Sequence, residues 1–263
     1  MKPLSILILT ALFAGCTTAP ARIDAIAARA GLTREIVEGT QFRHLVYTQP
    51  AHNEHSRWTV YLEGDGRPWI SGRVPADDPT SREPYALELM LRADGPALYV
   101  TRPCYHALRD AACATELWTS ARYSEEVVAS MAAAIERKLS ALGASGARLV
   151  GYSGGGTLAV LIAERLQRVA EVVTIAANLD IERWAAHHGY LPLYESLNPA
   201  RSQASHPWNE LHLQGSKDEI VPPVTTNAYF ERFPNARQLT FADYDHICCW
   251  VRDWSRILAE IDR

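Results

Sequence analysis

Residues 148–160 read Arg148-Leu149-Val150-Gly151-Tyr152-Ser153-Gly154-Gly155-Gly156-Thr157-Leu158-Ala159-Val160. Arg148-Leu149-Val150 has strand character, and Thr157 to Arg168 carries a helical pattern. The glycines between them therefore mark a tight strand-to-helix turn. A turn of that kind lifts the Ser153 hydroxyl above the end of a sheet, and glycines flank it because side chains there would collide. Gly-x-Ser-x-Gly alone is a weak signal, expected by chance in about one chain in ten of this length. The strand before it and the helix after it supply the weight. A glycine-rich connection without reactivity is the competing reading.

Outward from this turn, apolar runs alternate with helical patterns. His44-Leu45-Val46-Tyr47, Trp58-Thr59-Val60-Tyr61-Leu62, Ala97-Leu98-Tyr99-Val100, Glu171-Val172-Val173-Thr174-Ile175, Leu211-His212-Leu213 and Leu239-Thr240-Phe241 read as strands. Ser124-Glu125-Glu126 opens a helix through Leu142, with Val127, Val128, Met131, Ile135 and Leu139 near helical spacing and Gly143 as its stop. Arg22 to Arg29 fits one or two helical turns, Tyr229 and Phe230 fall in another helix, and a last one starts at Trp250. Such alternation predicts an α/β fold, with a mostly parallel central sheet and helices on both faces. Pro68 to Pro84 and Ile181 to Pro207 read as irregular segments, suited to be lids or pocket walls.

A serine nucleophile needs a base, and the base needs an orienting acid. Asp218, in Gly215-Ser216-Lys217-Asp218-Glu219-Ile220-Val221-Pro222, follows one strand end; His246, in Asp243-Tyr244-Asp245-His246, follows the next. Open α/β sheets keep their sites in such loops, and sequential strands commonly neighbour one another. Asp180 at another strand end and Glu219 are the alternative acids. Of the remaining histidines, His44 and His212 lie within strands and read as structural, while His187, His188 and His206 read as surface or pocket wall. Two main-chain donors are needed for an oxyanion. One is Gly154; the other falls in Glu63-Gly64-Asp65-Gly66, where Asp65 N–H is the first choice and Gly66 the next.

The elbow, Gly-Ser-Lys-Asp before Val-Pro-Pro, and the late Asp-His together resemble the α/β-hydrolase superfamily. Glu63-Gly64-Asp65-Gly66, Asp78-Pro79-Thr80, Arg102-Pro103-Cys104, Trp118-Thr119 and Ala177-Asn178-Leu179-Asp180 further resemble a branch of bacterial hydrolases, many of them lipoproteins. The likeness runs from about residue 40 to the end. It implies the α/β-hydrolase fold and a Ser153–His246–Asp218 triad, without a firm substrate. Glu63 departs from the histidine common at that place.

Met1-Lys2-Pro3, an apolar run from Leu4 to Phe13 and Ala14-Gly15-Cys16 describe a secretory signal peptide, too short to span a bilayer permanently. Phe13-Ala14-Gly15-Cys16 resembles the bacterial lipobox, which implies cleavage before Cys16, its acylation, and a membrane-anchored protein facing the periplasm or cell surface. Cleavage after Ala14 or Ala19, without lipid, is the alternative. The organisation expected is thus signal peptide 1–15, tether and short helix 16–40, and catalytic domain 41–263. Net charge is −4, with no basic run, so nucleic acid is not an expected partner. Cys104, Cys113, Cys248 and Cys249 remain as disulfide candidates in an oxidising compartment. Cys104 with Cys113 is the first choice; a vicinal bridge is strained, which leaves cross-linking of the two clusters open. Neither cluster has zinc spacing, so no metal is expected.

The chemistry expected is acyl transfer to water, without a cofactor, on a small-molecule ester. A peptidase or thioesterase would use the same triad, and a non-catalytic surface-binding lipoprotein is the alternative outside enzymes. Tyr152, Trp69, Trp184 and Trp208 are candidates to line an acyl pocket.

Overall fold

The computed structural model describes residues 18–49 and 57–262. The signal-peptide and Cys16 readings lie outside the described residues. In chain order the elements are α1 (Ala19–Arg29), β1 (Thr33–Glu38), β2 (Arg43–Gln49), β3 (Arg57–Leu62), β4 (Trp69–Ile70), β5 (Val74–Pro75), α2 (Tyr85–Met90), β6 (Ala97–Val100) and α3 (Glu125–Ala141). They continue with β7 (Gly146–Tyr152), α4 (Gly154–Ala163), β8 (Val169–Ile175), α5 (Ile181–His188), β9 (Asn209–Gly215), α6 (Asn227–Arg232), β10 (Arg237–Phe241) and α7 (Trp250–Ile261).

Eight strands form one sheet in the order β1-β2-β6-β3-β7-β8-β9-β10. The pairs β1–β2 and β2–β6 are antiparallel and every other pair is parallel. Parallel strands buried on both faces need apolar residues in both directions, and these strands supply them. On β7, Leu149 enters one core with Val128, Met131 and Ile135 of α3 and Leu158 of α4, while Val150 enters the other with Ile23 of α1, Leu87 of α2 and Trp254 of α7. The helical spacing read in α3 is its buried face, and Ser124 caps it by accepting from Val127 N at 3.4 Å.

Several elements depart from the sequence reading. Within residues 16–40, expected as a tether and short helix, α1 is that helix and the edge strand β1 is an addition, its half-exposed Thr-Arg-Glu-Ile-Val-Glu pattern fixed by pairing with β2. Within the segment from Ile181 to Pro207, α5 forms because Asp180 accepts from Arg183 N and Gly189 closes the other end in the left-handed conformation. The segment from Pro68 to Pro84 contains the hairpin β4–β5, whose turn holds Ser71 and Gly72 at φ 51° and 69°. Among the described residues no helix is long and apolar enough to cross a membrane.

Candidate active site

Ser153 occupies the one-residue gap between β7 and α4, at φ 52° and ψ −126°. This conformation costs a non-glycine residue about 1–3 kcal/mol and persists only where its surroundings over-determine it. Here Ser153 N donates to Ile175 O of the neighbouring strand at 2.8 Å, and Gly156 N donates back to Ser153 O at 2.8 Å. The glycines after it are required by contact. A Cβ on Gly154 would overlap the Asp65 carboxylate, with the Tyr123 hydroxyl 2.5 Å away; one on Gly155 would overlap the Leu62 carbonyl.

The loops after β9 and β10 bring the other two groups to Ser153. His246 Nε2 lies 3.1 Å from Ser153 Oγ, and His246 Nδ1 lies 2.9 Å from Asp218 Oδ2. Asp218 is 4 % exposed. Its other oxygen accepts from Ile220 N at 2.9 Å and Val221 N at 2.8 Å, which fixes the carboxylate. With Asp218 accepting from Nδ1–H, Nε2 is left free to accept the Ser153 proton. The Tyr152 hydroxyl donates to His246 O at 2.8 Å, and Tyr152 packs between Tyr85 and His246, with ring centroids 4.9 and 5.4 Å away. The alternative acids are elsewhere. Asp180 caps α5 and takes a hydrogen bond from Asn198, and Glu219 is exposed.

The loop after β3 lies over this centre: a Cβ on Gly64 would stand 3.3 Å from Ser153 Cβ. Among the described residues the N–H groups of Gly154, Asp65 and Gly66 have no acceptor, whereas Gly64 N donates to Glu63 Oε1 at 3.1 Å. Glu63, where histidine is common in the resembling hydrolases, ties the loop to its surroundings. Its Oε2 accepts from Ala86 N in the first turn of α2 at 3.1 Å and from the Tyr99 hydroxyl at 3.3 Å. Burial pushes the Glu63 carboxyl up to about 7, against these donors, which favour the charged form.

Asp65 has a second part that sequence reasoning missed. Its carboxylate accepts from Arg102 Nη2 at 2.7 Å, from Arg122 Nη1 at 2.8 Å and from the Tyr123 hydroxyl at 2.8 Å. Both guanidinium groups are buried, with 2 % and 8 % of their side chains exposed. Burial opposes the ionised form of Asp65, but Arg102 and Arg122 outweigh it and hold the carboxyl at about 2. A lone carboxylate beside the Gly154 N–H would repel an oxyanion; two arginines cancel it and leave one positive charge over. Tyr105 donates to Asp65 O at 2.9 Å, and Arg67 N donates to Pro79 O at 2.7 Å. Asp78 and Thr80 in turn accept from Ala107 N and His106 N at 2.9 and 2.6 Å. The signal for this bracing was in the sequence, as the Asp78-Pro79-Thr80 and Arg102-Pro103-Cys104 motifs, but nothing there showed that both serve one loop.

Cys104 pairs with Cys113, Cα atoms 5.7 Å apart, closing the loop that carries Tyr105 and His106. Cys248 and Cys249 stand side by side with their sulfur atoms together, and the structure does not cross-link the two clusters. Trp184 stays beside the site, its indole donating to Ile220 O at 2.7 Å, and Trp69 stands on the β4–β5 hairpin. Trp208 does not belong with them. It donates to Glu210 at 2.8 Å near the start of β9, the opposite edge of the sheet, where His206 and Trp208 line an open cavity of about 750 Å³. His44 is buried between Thr101 O and Ser130 Oγ, both at 2.9 Å, and His212 between Thr174 Oγ1 and Glu210, as structural histidines. Among the described residues no group of three or more His, Cys, Asp or Glu side chains is placed to hold a metal.

No family model matches the chain, and no curated protein matches it by sequence. Solved structures do match. An esterase of Pyrococcus furiosus superposes with a TM-score of 0.64 at 12% identity, over 88% of this chain and 90% of that one. An α/β serine hydrolase without lid from Xanthomonas campestris gives 0.55 at 13% identity, over 88% and 94%. A puromycin-hydrolyzing peptidase of Mycobacterium tuberculosis gives 0.61 at 16% identity, over 86% of this chain and 37% of that one. At such identities the likeness concerns architecture, and the architecture is the α/β-hydrolase fold.

Proposed function

We propose that the chain is a serine hydrolase that cleaves carboxylic esters through an acyl-enzyme. The observation that carries this reading is the continuous hydrogen-bonded line from Asp218 through His246 to Ser153, at 2.9 and 3.1 Å, beneath unsatisfied N–H groups. In the proposed reaction His246 Nε2 takes the Ser153 proton as Oγ attacks the ester carbonyl. Asp218 stabilises the imidazolium, and the N–H groups of Gly154 and Asp65 hold the oxyanion. The imidazolium then protonates the leaving alcohol. A water molecule, deprotonated by the same nitrogen, releases the acid and restores Ser153. The net change is one ester and one water to one acid and one alcohol, with no cofactor.

Thioesters and peptides would pass through the same tetrahedral intermediate. The carboxylic ester is the broadest of these substrate readings. In the same reading the chain is exported and held to a membrane by acyl groups on Cys16. The test is covalent labelling by a fluorophosphonate. Wild type takes up one label per chain and Ser153→Ala none; equal labelling of both would refute the assignment.

A further inference from the structure

Exposed apolar side chains are unevenly placed on this molecule. Among the described residues, nine of the eleven large apolar side chains that stand exposed lie on loops after β3, β8, β9 and β10, the edge that carries Ser153. Trp69, Ile70 and Val74 form the β4–β5 hairpin; Leu191 and Tyr194, 86 % and 83 % exposed, follow α5; Ile247 adjoins His246. The exceptions are Ile36 on β1 and Leu239 on β10, the two edge strands of the sheet. Scattered exposure would need no explanation, but a rim gathered around one opening does.

Two further observations say what covers it. The first is charge. Arg67, Arg73 and Arg82, in and beside the hairpin, are exposed, and their guanidinium groups have no carboxylate partner among the described residues. Within this segment the three arginines outnumber the carboxylates that have no cationic partner among the described residues, Asp77 and Asp78, and an excess of cations around an aromatic and aliphatic tip suits an anionic surface with an apolar interior. The second is where the chain enters. α1 runs down towards β1, which starts at the far edge of the sheet, so its first residue lies at the Ser153 edge. Arg22 in its first turns binds Glu83 through two 3.0 Å hydrogen bonds, two residues before Tyr85. Cys16 precedes Thr18 by two residues, a reach of no more than about 7 Å.

We infer that the rim of Trp69, Ile70, Val74, Leu191, Tyr194 and Ile247 docks on an anionic phospholipid bilayer, with the Ser153 opening turned towards the membrane. The N-terminal acyl anchor and the rim then engage the same surface, so the tether raises the local concentration of the docking face instead of opposing it. This inference rests on the hydrolase reading for its substrate, an ester of a long acyl chain held in or delivered from the bilayer.

Two measurements separate docking from catalysis. In the first, the acylated full chain carrying Ser153→Ala is reconstituted into phosphatidylcholine–phosphatidylglycerol vesicles with brominated acyl chains. Replacing Trp69 by Phe is expected to remove about half or more of the bromolipid quenching of tryptophan fluorescence, since an interfacial indole sits at that depth. Undiminished quenching would overturn the docking. In the second, Ile70→Ser/Val74→Ser is compared with wild type. Turnover of a long-acyl ester in vesicles falls about tenfold or more, because two apolar side chains no longer enter the bilayer, while turnover of a water-soluble short-acyl ester is unchanged. An equal fall on both esters, or none on either, overturns the inference. If wild type hydrolyses neither ester, the hydrolase reading fails and the quenching alone decides the docking. If light scattering finds a wild-type dimer that Ile70→Ser/Val74→Ser dissociates, the rim is covered by a second copy and the bilayer is not its occupant.

Discussion

Asp65 stands at the point where sequence and structure give different answers about one residue. The sequence assigns it a main-chain role, donation to an oxyanion, with a side chain readable as a plain turn former. Among the described residues its N–H has no acceptor, and its carboxylate is the one acidic partner of Arg102 and Arg122, two buried cations. Removing one member of a buried ionic group leaves the others charged and desolvated, which is more costly than losing a surface pair. Asp65→Asn is therefore expected to destabilise the fold by about 3–5 kcal/mol, measured by urea denaturation at neutral pH. A loss below about 1 kcal/mol, as for an exposed pair, would show that the two arginines are satisfied elsewhere. The same contact explains the glycine after the nucleophile. Gly154 has no room for a methyl group because Asp65 and Tyr123 occupy its place.

At the scale of elements, α2 and the loop after β3 act as one unit. The helix has six residues and no side-chain cap from its own preceding residue, Pro84; Glu63 supplies the acceptor for Ala86 N instead, from a strand end twenty-three positions earlier. Both Glu63 oxygens accept main-chain N–H groups. Glu63→Gln must therefore turn an amide NH₂ towards one of those donors. With Asp65 N–H displaced, turnover of a soluble ester falls about tenfold or more while KM stays within about twofold, because the donor acts on the oxyanion formed in the transition state. A rise in KM at constant kcat would make Glu63 part of the substrate pocket instead of a positioning residue for the loop. α2 was illegible for the same reason that this effect exists: its start is set by a long-range contact. α3 and α7, whose apolar faces repeat within the sequence, were legible.

For the whole molecule, the buried titrating groups predict how stability follows pH. Burial, opposed by the Thr101 carbonyl, lowers His44 from 6.5 to about 4, and burial does the same to His106, opposed by Asp78 and Asp24. As pH falls below 6.5 the unfolded chain takes up these protons and the fold does not. Their stabilisation is complete above 6.5 and lost towards pH 4, at about 1.4 kcal/mol per pH unit for each histidine. Glu63 and His206 act in the other direction. Each has a raised value, about 7 and about 9, so their contributions are present at low pH and lost as pH rises through those values. For His206, burial opposes the charge and the carboxylates of Glu164 and Glu210 prevail over it. His44→Gln should flatten the acid limb, with a smaller loss of urea stability between pH 6.5 and 4.5 than wild type. An unchanged slope there would mean that His44 is protonated in the fold.

The sequence alone determined the alternation of strands and helices, the elbow around Ser153, and the candidacy of Asp218 and His246, because these depend on local periodicity and on order along the chain. Segments whose structure comes from distant partners stayed hidden: β1 from its pairing with β2, α5 from the Asp180 and Gly189 caps, and the bracing of the loop after β3 from Arg102, Arg122, Tyr105 and Pro79. Only the tertiary structure placed the two carboxylates, Asp180 on a helix N-terminus and Asp218 2.9 Å from an imidazole. It alone sent Trp208 to the far edge and gathered the exposed apolar side chains at the near one. Hydrogen bonds and ion pairs depend on separation in space, and a chain's sequence records separation only for neighbours along it.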